Sequence, residues 1–120
     1  GDKLQGVEAP AELTGAAIQL EQNREIIGHL GDGDSVDIYA VPISGPQQMT
    51  LNITPADQKF RYRVTVKNVQ GRRILSKASR GGAVQVAIKP PAGEDVIYIE
   101  LKSNNPKLET RFTSYTLGLK

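Results

Sequence analysis

The sequence predicts an all-β domain, an antiparallel β-sandwich of about eight or nine strands. Three observations predict it. Short apolar-alternating segments recur along the chain, with turn residues between them about every 8–12 residues. Residues 60–67 obey period two throughout, with Phe60, Tyr62, Val64 and Val66 on one face and Arg61, Arg63, Thr65 and Lys67 on the other. No window of about 11 residues or more repeats apolar side chains at i, i+3, i+4 and i+7. The nearest helical candidate, residues 8–22, is weakened by Pro10 and Gly15.

The elements follow in order. Residues 1–14 mix Gly, Pro and acids without a sustained period and read as a linker or leader, with the domain proper at 15–120. Residues 17–20 and 25–30 are short strand candidates around a turn at Gln22 and Asn23. Residues 35–43 form a longer one, and 49–54 another that Pro55 ends. After strand 60–67, the turn Asn68-Val69-Gln70-Gly71 leads to a returning strand at 72–78, since Gly71 can take a positive φ. Ser79-Arg80-Gly81-Gly82 is a second turn. Val84, Val86 and Ile88 alternate with Gln85 and Ala87 until Pro90 and Pro91, which have no N–H to donate to a ladder. Ile97, Ile99 and Leu101 alternate with Tyr98 and Glu100, ahead of a break at 103–106. Tyr115, Leu117 and Leu119 make the last strand. No repeat recurs at periods of about 20–50 residues.

Composition narrows the function. At 120 residues the chain is one domain and can bury enough surface to fold without a staple. Its 38% hydrophobic and 23% charged residues exclude a disordered tail. With no cysteine there is no disulfide, thiolate nucleophile or thiolate metal site. The single histidine, His29, excludes any site that needs two, and no Gly-x-Ser-x-Gly elbow is present. No apolar run approaches the roughly 20 residues of a membrane helix. The chain begins with Gly1 and not Met, which reads as a processed or excised piece with any signal peptide already gone, and the lack of cysteine leaves the compartment open. Asn52-Ile53-Thr54 matches a glycosylation acceptor and, followed by Pro55, is read as chance.

Charge is unevenly distributed. Residues 1–58 carry nine acids and two bases, a net −7, and residues 59–120 carry thirteen bases and four acids, a net +9. Arg61, Arg63 and Lys67 line the outer parity of one strand, with Arg72, Arg73, Lys77 and Arg80 on the hairpin that follows. One reading is an ordinary solvated face, neutralised by acids of the first half after folding. The other is a surface for an acidic partner. Phe60 and Tyr62 have inward parity, so this face lacks the aromatic platform on which nucleic-acid bases stack, and nucleic acid is disfavoured. Tyr98, outward by parity, offers a single aromatic contact to a sugar or peptide.

Asp32, Asp34 and Asp37 cluster in a turn entering a strand. Calcium takes about six to eight oxygens, often carboxylates in a flexible loop, and Gly33 lets such a loop curl. Glu8, Glu12 or Glu25 would complete the shell. The alternative is a set of Asx-turns that use the same carboxylates on nearby N–H groups. The spacing is not that of a helical calcium loop. Asp37 shares parity with Tyr39, Val41 and Ile43, while Val36, Ile38 and Ala40 are also apolar. Either the strand is buried on both faces or its register shifts near Pro42. An inward Asp37 must be paired, because a bare buried carboxylate is costly.

Several blocks in order resemble a known family: Ala17-Ile18-Gln19-Leu20, Ile27-Gly28-His29-Leu30, Asp34-Ser35-Val36-Asp37-Ile38-Tyr39, Val64-Thr65-Val66-Lys67-Asn68-Val69-Gln70-Gly71, Ala92-Gly93-Glu94-Asp95-Val96-Ile97-Tyr98, and Ser114-Tyr115-Thr116-Leu117-Gly118-Leu119. Together they resemble the bacterial pre-peptidase C-terminal domains, related to the collagen-binding domains of clostridial collagenases, over residues 16–120. Two departures stand out. Ser35 and Val36 separate the two aspartates where one residue is commoner, and Ile97 replaces an inward tyrosine. The resemblance implies a jelly-roll-like sandwich with no catalysis. It implies a secreted, periplasmic or cell-surface location, calcium in some members, and a monomeric accessory module of a larger protein. Such a module would bind a protein or polysaccharide partner through a sheet face, at Arg61, Arg63, Lys67, Arg72, Arg73 and Tyr98. The alternative is a structural spacer with no ligand of its own.

Overall fold

A computed structural model describes residues 17–31, 36–44, 48–103 and 112–120. Within them are nine strands: β1 (Ala17–Gln19), β2 (Arg24–Gly31), β3 (Val36–Pro42), β4 (Met49–Pro55), β5 (Tyr62–Lys67), β6 (Arg73–Ser79), β7 (Val84–Ile88), β8 (Val96–Ser103) and β9 (Phe112–Leu119). They form two sheets, in the orders β1-β3-β8-β5-β6 and β2-β9-β4-β7. The architecture is the all-β sandwich that the alternation predicts, and the described residues contain no helix. Residues 1–14, expected to be a linker or leader, lie outside the described residues.

The core forms because the inward parity of both sheets is apolar. Tyr39, Val41, Ile97, Ile99, Leu101, Tyr62, Val64 and Val66 from the five-stranded sheet meet Leu30, Met49, Leu51, Ile53, Val86, Leu117 and Leu119 from the four-stranded one. Each such side chain, once fully buried, contributes roughly 1.5–3 kcal/mol before conformational entropy is counted. Phe60 closes the core just ahead of β5 and stacks near Tyr62 at 6.4 Å between ring centroids.

The turns behave as their residues dictate. Asn68 is the pivot of the β5–β6 hairpin: its Oδ1 accepts from the N–H of Gln70 (3.0 Å) and of Arg72 (2.9 Å), and Gly71 takes φ 85°. In the next turn Gly81 and Gly82 both have positive φ, and the Tyr62 hydroxyl donates to the Gly82 carbonyl at 3.0 Å. A Cβ on Gly81 would lie 2.5 Å from the Gln58 carbonyl oxygen, so this position is closed to side chains twice over.

The sheets are antiparallel as expected apart from one pair, β1 with β3, which is parallel. The first two strand candidates, on either side of the expected turn, fall in different sheets: β1 belongs to one and β2 to the other. Asn23, at φ 66°, carries the chain across, with its N–H donating to the Leu119 carbonyl. Leu20, the last residue before this crossing, is buried in the core and its N–H donates to the Ala40 carbonyl. The alternation near residue 40 is settled as burial on both faces. Tyr39 and Val41 enter the main core, while Ile38 is covered on the outside of the sheet with Tyr98.

Val64 and Ile99 are fully buried. Val64→Asp or Ile99→Asp is expected to abolish the cooperative urea transition. Arg63→Ser, on the exposed parity, is expected to shift it by less than about 0.5 kcal/mol.

Candidate functional site

The outer face of the five-stranded sheet carries the predicted basic residues, and register decides which of them meet. Arg63 on β5 lies directly between Lys102 on β8 and Ala78 on β6. Thr65 lies between Glu100 and Ser76, and Lys67 between Tyr98 and Arg73. Directly opposed side chains in such a sheet stand about 5 Å apart at Cβ. Arg63 and Lys102 are therefore neighbouring cations, and neither has an acid as its register neighbour. Two residue pairs along β5, Lys67 and Arg73 form a second cationic pair.

A bulge creates that second pair. Register slips between Val66 and Lys67, so Lys67 faces Arg73 while Val66 faces Leu75. Ile74 is the extra residue and packs against the core. Lys67 is partly neutralised, its Nζ lying 3.3 Å from Glu100 Oε2 with both side chains mostly buried. Arg63 Nη1 donates to Ser76 Oγ at 2.9 Å, which braces the guanidinium over the hairpin. Lys102, which the sequence reading did not single out, is as central to this face as Arg63. Its signal was present, since it shares the outer parity of Tyr98 and Glu100.

The other predicted residues divide. Arg61 is exposed just ahead of β5, and Arg72 and Arg80 are exposed in turns. Lys77 belongs elsewhere: it shares the parity of Leu75 and Ser79, and its Nζ reaches the Gln85 carbonyl on β7 at 3.4 Å. It covers a strand edge and is not part of the outer stripe. Tyr98 is also corrected. It has the outward parity, yet is only 7% exposed, because Ile38, Ala17, Val36, Ala40, Val69 and Val96 build a small apolar cluster over it. It supports the sheet and offers little aromatic surface.

Of the acidic cluster, Asp32 and Asp34 lie outside the described residues. Asp37 is described, and it points inward. The Tyr115 hydroxyl donates to its Oδ2 at 2.5 Å. An ionised carboxylate only accepts, and Tyr115 has one proton, so Tyr39 donates in turn to the Tyr115 oxygen. Burial, the Asp37 hydrogen bond and the neighbouring Tyr39 together hold the Tyr115 phenol far above the ordinary tyrosine pKa. Burial also raises Tyr62, with the Ser79 hydroxyl opposing. Gly28 faces Tyr115 across the β2–β9 ladder. A Cβ there would come within 2.4 Å of the Tyr115 ring and hydroxyl and 2.7 Å of the Tyr39 hydroxyl. His29, next along β2, is exposed on the opposite parity.

Asp37 Oδ2 accepts from Tyr115, and no group of three or more His, Cys, Asp or Glu gathers among the described residues.

No family model matches the sequence, and no curated protein matches it. Among solved structures, the chain is similar to the pre-peptidase C-terminal domain of collagenase from Bacillus anthracis, with a TM-score of 0.71. The likeness is one of fold. It covers 87% of this chain and 94% of that one, at 13% sequence identity. A shared pre-peptidase C-terminal fold at so low an identity reflects matching strand order and burial, not matching surface residues.

Gly28→Ala is expected to destabilise the domain by about 2 kcal/mol or more, read in urea melts, because the tyrosines cannot both stay in place. Tyr115 is neutral in the fold while an unfolded tyrosine ionises near pH 10. The unfolded state therefore binds fewer protons above that pH, and stability falls as pH rises further. Urea midpoints from pH 8 to 11 will show this loss, and Tyr115→Phe will flatten it.

Proposed function

We propose that this domain is a non-catalytic accessory module of an exported protein, and that it holds an acidic partner against the outer face of its five-stranded sheet. One observation carries the reading. Arg63 and Lys102 stand side by side on a rigid sheet without an acid as register neighbour, and Lys67 with Arg73 extends the cationic surface along the strands. Like charges directly opposed destabilise a sheet slightly, so this arrangement has a cost that a bound anion would offset.

The fold supports the accessory role, because the similar structure is one domain of a collagenase. On the same ground we assign the module to the extracytoplasmic side of a bacterial cell. Acidic polysaccharide is the favoured class of partner. The face is flat, charged and poor in exposed aromatics, which suits repeated anionic groups better than an apolar protein patch. A structural spacer is the second reading. Glu100 partly neutralises Lys67, and the cluster around Ile38 and Tyr98 seals part of the face with the domain's own side chains.

The double variant Arg63→Glu with Lys102→Glu separates the two. On a column of immobilised heparin, the native domain is expected to be retained at low salt and released as salt screens the contact. The variant is expected to pass through while melting normally. Equal elution of the two proteins would favour the spacer.

Calcium is a separate proposal, resting on Asp32, Asp34 and Asp37. We expect it to contribute little, since Asp37 is committed to Tyr115. Melting temperature should be the same in millimolar calcium and in EDTA, and Asp34→Asn should melt like the native chain. A calcium-dependent rise that Asp34→Asn removes would establish the site.

A further inference from the structure

Two strand glycines, Gly28 and Gly118, differ in a way that points to a second surface. Gly28 is required sterically by the tyrosines. Gly118, on β9 in the four-stranded sheet, is not. Its φ is outside the left-handed region, and a Cβ there would meet nothing closer than 3.7 Å, the side chain of Glu25. That is ordinary contact. A glycine inside a strand weakens it, and where packing does not demand one it often marks close approach by a ligand.

The bare backbone of Gly118 floors an open groove of about 500 Å³ on the outer face of this sheet. Register lays a row across the groove: Glu25 on β2, Gly118 on β9, Asn52 on β4 and Gln85 on β7. Thr50 and Lys120 stand beside it. Its volume is that of a small-molecule site. Its lining offers the Glu25 carboxylate, the side-chain amides of Asn23, Asn52 and Gln85 and the Thr50 hydroxyl, donors and acceptors set on or beside strands about 5 Å apart. The pattern fits adjacent hydroxyl groups, each of which is also both donor and acceptor. The rim carries Glu25 against Arg24 and Lys120, and Arg24 is itself paired with Glu21 at 3.7 Å, so the mixed charges do not favour a charged ligand. Two residues along β2 from Glu25, Ile27 stands on the same face and is 71% exposed, an apolar side chain that the core does not use. A sugar ring, polar at its edge and apolar on its C–H face, matches both features.

We propose that the groove over Gly118 is a binding site for a neutral saccharide, on the side of the sandwich opposite the basic face. It is independent of the acidic partner proposed above.

The test is amide NMR of the 120-residue chain titrated with maltohexaose, cellohexaose and chitohexaose. The expected result is saturable shifts centred on Asn52, Gln85 and Gly118 with at least one of them. Gly118→Val fills the groove and should weaken that binding about tenfold or more without lowering the melting temperature. Asn52→Ala with Gln85→Ala leaves the groove open and removes its amides, and should weaken binding to a similar degree. The Arg63→Glu, Lys102→Glu variant should bind these sugars normally even if it loses heparin. Absence of shifts at millimolar sugar would overturn the proposal. So would shifts centred elsewhere, binding that survives both groove variants, or self-association through Ile27 in sedimentation with no sugar response.

Discussion

Among the described residues, the sandwich depends on a polar connection that runs through its oily interior. Tyr39 from one sheet donates to Tyr115 from the other, and Tyr115 donates to Asp37 on the first. Three polar groups that would each be costly to bury alone satisfy one another in series. A hydrogen bond to a charged group contributes about 1.5–3 kcal/mol, and leaving such a group bare costs at least as much. The connection also needs empty space, which Gly28 supplies by having no side chain. Strands β3 and β9, from opposite sheets, are thereby joined by two phenols and one carboxylate, with Gly28 of β2 leaving them room.

That arrangement constrains what the domain can do. Asp37 points inward and accepts from Tyr115, which gives it a structural role. The outward rows are the surfaces open to a partner. Regular strands present side chains in fixed rows, and the rows differ between sheets. On the five-stranded sheet the rows bring cations together. On the four-stranded sheet they bring amides, hydroxyls and a carboxylate around a glycine floor. Neither row is contiguous in the chain. Arg63 and Lys102 are neighbours only because β5 and β8 pair, and Glu25, Asn52 and Gln85 share a row only because β9 lies between β2 and β4, and β7 beside β4.

Fold likeness to a collagenase domain at 13% identity is consistent with this division. Strand order and inward parity can persist while nearly every outward residue changes, since the core needs only apolar volume of about the right shape. The fold therefore speaks to architecture, and the partner must be argued from the surface rows.

The strands with one buried face were legible in the sequence, from residues 60–67 to the closing Tyr115, Leu117 and Leu119, because alternation with water on one side is a local pattern. So were the hairpin turn at Asn68 to Gly71 and the turn at Ser79 to Gly82 that passes from one sheet to the other, whose residue types answer local backbone demands. Tyr98 shows where that reading stops: parity is local, but burial depends on what neighbouring strands place alongside, here Ile38 and Val96. Lys77 and Arg73 show the same limit, for a bulge and a neighbouring edge decide which way a cation faces. The chain alone determined which residues alternate, where it turns and that Asp37, if inward, needs a donor. Only the tertiary structure decided that the donor is Tyr115, that Gly28 makes room for it, and that Arg63 meets Lys102, because each of these is a contact between strands far apart in sequence and no local pattern encodes which strands will pair.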